Sequence, residues 1–260
     1  MNKIIISARD GSQIPAIVHE PEGGKSPKSN VILAHGLYQS KDEDGRFFRL
    51  ATFLAKNGFR IIRFDFRGHG ENSIHSQDMS IAGLIVDYKS VVEFVKRQFG
   101  EPIDAVGSSF GGSTMLLYLQ IEDNIPLQRI VLLNPVTDYV TTFIKPWGNQ
   151  ILEMLTPEFW KAMKKNGSAS VEDGQFTWSE AAIFEMKLFK PYRAFYNLSI
   201  PTRVIHGTKD TAVPYEVTIT YATRSPMVDF KSIEGADHAF VPQEFEEETF
   251  RLIHEWLEQR

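Results

Sequence analysis

Apolar residues follow two rhythms along the chain. Short runs, many of them β-branched, recur at "KIIIS" (3–7), "IPAIVHE" (14–20), "NVILAHG" (30–36), "FRIIRFDF" (59–66), "IDAVGSS" (103–109), "RIVLLNP" (129–135), "TRVIHG" (202–207) and "VDFKSIEG" (228–235). Each reads as a strand. Several are apolar throughout, as strands buried on both faces of a parallel sheet are. Between them the period lengthens to that of a helix, as at Ile81, Leu84, Ile85, Tyr88, Val91, Val92, Val95 and Phe99. The repeated strand–helix alternation predicts an α/β fold, a mostly parallel eight-stranded sheet with helices on both faces.

The first two runs have no helix between them. They are joined by "RDGSQ", whose Asp10-Gly11 predicts a hairpin turn and hence an antiparallel edge. The C-terminal segment "PQEFEEETFRLIHEWLEQR" places Phe245, Thr249, Phe250, Ile253, Trp256 and Leu257 on one helical face, with its clustered glutamates on the solvated side.

One interval breaks the alternation. About 60 residues separate the sixth strand from the seventh, several times an ordinary connection, and so long a connection has structure or function of its own. It holds Phe143, Trp147, Phe159, Trp160, Phe176, Trp178, Phe184 and Phe189. The reading is a core domain of residues 1–136 and 193–260 carrying a mainly helical cap at 137–192, with "NGSASVEDGQ" (166–175) as a mobile or turn-rich interruption.

The chain has 260 residues, enough for one such domain with an insertion, and its 42% hydrophobic and 23% charged residues are those of a globular protein. A net charge of −5 points away from nucleic-acid backbones. No apolar run approaches a membrane span or a signal-peptide core, so neither membrane nor nucleic-acid partners are expected, and the default location is cytoplasmic. With no cysteine, disulfides, thiolate nucleophiles and Cys-based zinc sites are excluded. The seven histidines are scattered without metal-ligand spacing, and no phosphate-cradling loop occurs, so no metal or other cofactor is expected.

Chemistry concentrates at "VGSSFGG". Gly107-Ser108-Ser109-Phe110-Gly111 matches G-x-S-x-G between a predicted strand and a predicted helix running from Phe110 to Gln120. Small residues there allow a sharp turn that lifts the Ser109 hydroxyl above the sheet, at a positive helix N-terminus. A serine needs a base, and the base needs an acid to hold its tautomer. "HGTKDTAVP" after the seventh strand supplies Asp210, and "EGADHAFVP" after the eighth supplies His238. The order Ser, Asp, His, each just beyond a strand's carboxyl end, is that of an open α/β site. The amides of Leu37 and Phe110 would form the oxyanion hole.

His35 is read as bracing its loop, and Asp65 and His69 as structural residues. Asp138, after the sixth strand, is the rival to Asp210; Asp237 would point away from its neighbour His238.

Together "HG" (35–36), "FDFRGHGENS" (64–73), "VGSSFGG" (106–112), "HGTKDTAVP" (206–214) and "GADHAF" (235–240) resemble the landmarks of the α/β-hydrolase family over nearly the whole chain. "RFDFRGHG" and "IEGADHAF", with a cap between the sixth and seventh strands, look most like the bacterial cinnamoyl and feruloyl esterases. Ser108 stands where the family often has histidine. Phe110 stands where those esterases carry glutamine, and its ring is expected to narrow the acyl pocket. The resemblance implies a cofactor-free serine carboxylesterase acting on small-molecule esters with small to medium acyl or aromatic groups. A thioesterase, lipase, peptidase or acyltransferase would use the same residues, and a non-catalytic binding homologue is the reading from another class. The oligomeric state is left open.

Overall fold

The computed structural model describes residues 1–146, 149–171 and 174–259. The eight predicted strands form one sheet from β1 (Asn2–Ser7), β2 (Gln13–His19), β3 (Asn30–Ala34), β4 (Arg60–Phe64), β5 (Ile103–Ser108), β6 (Leu127–Leu133), β9 (Thr202–Gly207) and β10 (Val228–Ile233). The order is β1-β2-β4-β3-β5-β6-β9-β10. β2 pairs antiparallel with both β1 and β4, and every other pairing is parallel. The predicted turn closes β1 on β2: Gly11 has φ +87°, and the Ser12 amide donates to the Asp10 carboxylate at 3.1 Å.

The continuous apolar strands are buried on both faces. Ile32, Ile62, Ala105, Ile130 and Leu132 enter one core, under α2 (Ile81–Phe99), α3 (Ser109–Ile121) and α7 (Tyr215–Ala222). Their neighbours Val31, Leu33, Ile61, Val106 and Val131 enter the other, under α1 (Arg46–Lys56) and α8 (Gln243–Leu257). The predicted apolar positions of α2 from Ile81 to Val95 are all buried. Its start is capped by the Ser80 hydroxyl, which accepts from the Gly83 amide at 3.0 Å. On α8, Thr249, Phe250, Ile253, Trp256 and Leu257 are buried as expected.

Between β6 and β9 lie a π-helical turn (Val140–Ile144), α4 (Asn149–Met154), α5 (Pro157–Asn166), α6 (Glu180–Leu188) and a 3₁₀ segment (Pro191–Asn197). Within the interval 166–175 expected to be mobile or turn-rich, Ser168–Val171 is instead a strand. β7 (Ser168–Val171) and β8 (Phe176–Ser179) form an antiparallel hairpin, with Ala169 opposite Trp178 and Val171 opposite Phe176. These four residues are buried while the alternate Ser170 and Thr177 are not, so the period is 2 rather than 3.6. Most rings of the segment between β6 and β9 serve packing: Trp178 and Phe176 are buried, Trp160 and Phe189 partly so, and Phe184 is exposed. Trp147 lies outside the described residues, as do Glu172 and Asp173. Among the described residues no helix is long and apolar enough to cross a membrane.

Polar residues beyond the strand ends lock the loops. Asp65 is fully buried and accepts from the Lys41 amide (2.7 Å), the Lys41 ammonium (2.6 Å) and the Glu71 amide (2.9 Å). The loops after β3 and after β4 thereby meet at one carboxylate. His35 Nε2 accepts from the Phe66 amide at 3.1 Å, so its proton sits on Nδ1, which donates to the Gly36 carbonyl at 2.7 Å. The ring must therefore be neutral. His69 Nδ1 lies 2.9 Å from the Arg67 carbonyl, and the His35 and His69 rings meet edge-on at 5.1 Å.

Burial lowers His35 to about 4, and burial aided by the His35 ring lowers His69 to about 3. Both bind protons less readily folded than unfolded, so their contribution to stability is complete above about pH 6.5 and is lost as pH falls toward 4 and then 3. Near pH 5 the unfolded chain holds about two more protons than the folded one from these residues alone, a slope of roughly 2.5 kcal/mol per pH unit. Urea denaturation between pH 7 and pH 4.5 should show this steep fall. A stability flat across that range would mean that neither ring is held neutral.

Candidate active site

Ser109 occupies the junction of β5 and α3 and has φ +47°, a left-handed conformation costing an L-residue roughly 1–2 kcal/mol. The turn is so tight that its neighbours must be small. A Cβ at Gly111 would stand 2.2 Å from the Ala34 carbonyl oxygen and 2.4 Å from that of His35; one at Gly107 would stand 2.3 Å from the Met115 sulfur. The Ser109 carbonyl accepts from the Val136 amide at 3.2 Å, which anchors the strained residue to the end of β6. Phe110 follows in the first turn of α3, where amides have no partner within the helix.

His238 lies beyond β10 and Asp210 beyond β9, on the same sheet edge as Ser109. His238 Nδ1 and Asp210 Oδ2 are 2.7 Å apart, and the carboxylate is fully buried. The other oxygen, Oδ1, accepts from the amides of Ala212 and Val213, both at 2.8 Å. Burial disfavours the Asp210 charge, but attraction to His238 and hydrogen bonds from His206 and His238 outweigh it, holding the carboxyl well below the usual carboxylate range.

Ser109, His238 and Leu37 line one cavity of about 650 Å³. Its lining is mixed in polarity: Phe143, Ile151, Met154, Ala212 and Val213 are apolar, whereas Gln39, Glu43, Asp44, Arg46, Arg49, Gln243 and Glu246 are polar. Phe110 is not part of that wall. Its ring is buried against Tyr139 at 5.2 Å and Phe143 at 6.0 Å, so the expected narrowing of an acyl pocket by Phe110 does not occur; Phe143 stands at the cavity instead. Helical geometry turns the residue after the elbow back into the core.

The rival acids are engaged elsewhere. Asp138 Oδ1 accepts from the Val140 amide at 2.9 Å and caps the π-helical turn. Asp237 Oδ1 accepts from the amides of Ala239 (3.1 Å) and Val241 (2.9 Å) within its own loop. Among the described residues no group of three or more His, Asp or Glu is placed to hold a metal ion.

Several residues around the site escape a sequence reading. His206 Nε2 approaches Asp210 Oδ2 at 3.2 Å, so two imidazoles converge on one carboxylate oxygen. The "HG" dipeptide preceding Asp210 is its only trace in the sequence. Buried Asn134, at φ +41°, donates to the His238 carbonyl at 2.7 Å and accepts from the Gly207 amide at 3.0 Å. It ties the ends of β6 and β9 to the histidine loop. The amide of Gly36 donates to the buried Glu43 carboxylate at 3.0 Å, which leaves Leu37 as the next amide of that loop. From the hairpin, Trp178 Nε1 donates to the Tyr38 hydroxyl at 2.7 Å, one residue further on.

Comparisons with known proteins agree with this architecture. Over residues 25–178 the chain matches the family described as serine aminopeptidase, S33. It is 25% identical over 243 residues to the human mitochondrial palmitoyl-protein thioesterase ABHD10, spanning 91% of this chain and 74% of that one. It is 22% identical over 227 residues to the bifunctional esterase/perhydrolase DCH of Acinetobacter calcoaceticus, spanning 72% and 76%. The fold superposes on Est1E from Butyrivibrio proteoclasticus, solved with ferulic acid bound, at a TM-score of 0.81 and 19% identity, covering 98% of this chain and all of that one. With more than half of its length matched, the chain belongs to the serine aminopeptidase, S33 family and is an α/β-hydrolase of the esterase and thioesterase type.

Proposed function

We propose that the protein is a serine carboxylesterase that cleaves small-molecule esters through an acyl-enzyme. The observation that carries the reading is the conjunction of a left-handed Ser109 at the strand–helix turn with a histidine that lines the same cavity and is bonded to a buried, ionised carboxylate. Ser109 Oγ attacks the ester carbonyl carbon while His238 Nε2 takes its proton. The carbonyl oxygen, now negative, accepts from the Leu37 and Phe110 amides. Collapse expels the alcohol, which leaves with the proton from His238. Water then attacks the acyl-enzyme by the same route, with His238 as base, releasing the acid and restoring Ser109. Asp210 keeps the His238 proton on Nδ1 and stabilises the imidazolium.

The 137–192 segment acts as a cap in this reading, since its Phe143, Ile151 and Met154 supply the apolar wall. Those residues suit a medium-length or aromatic acyl group, and the polar residues of the same lining suit the leaving group. A thioester substrate is the second reading, favoured by the name of the human relative.

Ser109→Ala should leave a folded protein whose turnover is lower by about 10⁴ to 10⁶, because the three groups act as a unit. Asp210→Asn should cost about 10⁴ through the wrong histidine tautomer, and Asp138→Asn little. Steady-state kinetics on a p-nitrophenyl ester rank the three; a larger loss in Asp138→Asn than in Asp210→Asn would reassign the acid.

Hexanoyl and cinnamoyl esters should exceed acetate by roughly 1–3 kcal/mol in transition-state binding, or about 5- to 150-fold in kcat/KM. Ile151→Trp, which adds bulk to the cavity lining, should abolish that preference and spare acetate. Equal specificity constants for acetate and the longer esters in the wild type would remove the apolar wall from substrate recognition.

A further inference from the structure

Ser108, where many α/β-hydrolases have histidine, is not explained by the chemistry above. Its hydroxyl is buried and accepts a hydrogen bond from Arg46 Nη2 at 2.8 Å. The same guanidinium pairs with Glu43 Oε2 at 3.1 Å, reaches the Ala239 carbonyl through Nη1 at 3.4 Å and lies 5.6 Å from the centre of the Phe240 ring. Glu43 in turn accepts the Gly36 amide on Oε1 at 3.0 Å.

Three loops therefore meet on one ion pair. Gly36 precedes the Leu37 amide, Ser108 precedes Ser109, and Ala239 and Phe240 follow His238. The pair is nearly dry: the side chains of Arg46 and Glu43 are 11% and 5% exposed. Its backbone is strained as well, since Glu43 and Asp44 have φ +48° and +51° before Gly45 at +83°. Left-handed non-glycine residues persist only where surrounding structure over-determines them, and here the turn directs Glu43 under the Gly36 amide. A buried ion pair adds little net stability, whereas planar guanidinium donors fix several acceptors in one geometry.

We infer that Glu43 and Arg46 are positioning residues that set the oxyanion loop, the nucleophile elbow and the histidine loop in mutual register. Both also line the cavity, so an unchanged KM is what separates this action on the transition state from direct contact with substrate. The inference rests on the serine reading above and adds a requirement to it. A displacement of about 1 Å in a catalytic group costs up to about 100-fold, so a shift of the Leu37 amide against Ser109 falls on kcat and leaves KM nearly unchanged.

The test uses Glu43→Gln, Arg46→Gln, their double variant and Ser108→Ala. Each is measured for the rate at which a fluorophosphonate probe captures Ser109, for kcat and KM on a p-nitrophenyl ester, and for melting temperature. Glu43→Gln and Arg46→Gln should each lower capture rate and kcat by about 10- to 100-fold, with KM within about threefold. The double variant should lose no more than the worse single one, because the pair works as a unit. Ser108→Ala, which removes one acceptor and no charge, should lower kcat by about 3- to 10-fold, and it decides the matter if the charge variants fail to fold. Capture and kcat within twofold of wild type, a loss confined to KM, or losses that multiply in the double variant would overturn the inference. Failure of the probe to label the wild type would instead overturn the serine reading itself, and this inference with it.

Discussion

The start of α3 rests against the end of β3 with no room for a side chain. The Ala34 and His35 carbonyls occupy the space that a Cβ of residue 111 would need. This backbone contact brings the segment after β3 beside the segment after β5, so that Gly36, Leu37 and Ser109 share one cavity. It also leaves Ser109 little choice of conformation, and the residue accepts φ +47° as the consequence. The remaining polar architecture of this sheet edge is arranged around that junction. Asn134, the Val136 amide, the Glu43–Arg46 pair and the Asp65 cluster each hold a loop that the close approach has brought near.

Charge is managed in two opposite ways within a few residues. His35 and His69 are kept neutral by burial, so the loops they brace carry no proton-dependent charge. Asp210 is kept charged in a site just as dry, because two backbone amides and two imidazoles surround its carboxylate. A buried anion held by three hydrogen bonds, with the His206 ring against it at 3.2 Å, has little freedom to rotate, and that immobility passes to His238.

Much of this was legible in the chain. Strand positions, their burial on both faces and the antiparallel edge follow from β-branched runs and from Asp10-Gly11, since local pattern and tertiary environment agree there. Ser109, Asp210 and His238 could be named because each sits just beyond a strand end, where spacing in sequence maps onto one edge in space. The β7–β8 hairpin was missed because its four buried residues alternate over short spans within a segment otherwise of helical period and rich in polar residues. The same blindness covers Glu43, Arg46 and Asn134. Apart from the Glu43–Arg46 pair itself, their partners lie 7 to 193 residues away, and nothing local distinguishes them from ordinary surface polar residues. The fate of the Phe110 ring was equally hidden, since it depends on which way a helix turns after a strained start.

The hydrogen bond from Trp178 to Tyr38 makes the segment between β6 and β9 more than a cover. Tyr38 is itself left-handed, at φ +63°, one residue past Leu37, so the indole grips a stretch of chain that is already wound tight. In the esterase proposed above, selectivity and turnover are thereby joined. A lineage that remodels the lining around Phe143 and Met154 to admit a new acyl group would also change the tension on the loop beside Ser109. New specificities on this scaffold should then arise with retained Trp178 and Tyr38, or with both exchanged together, and seldom by wholesale replacement of the segment that carries only one of them.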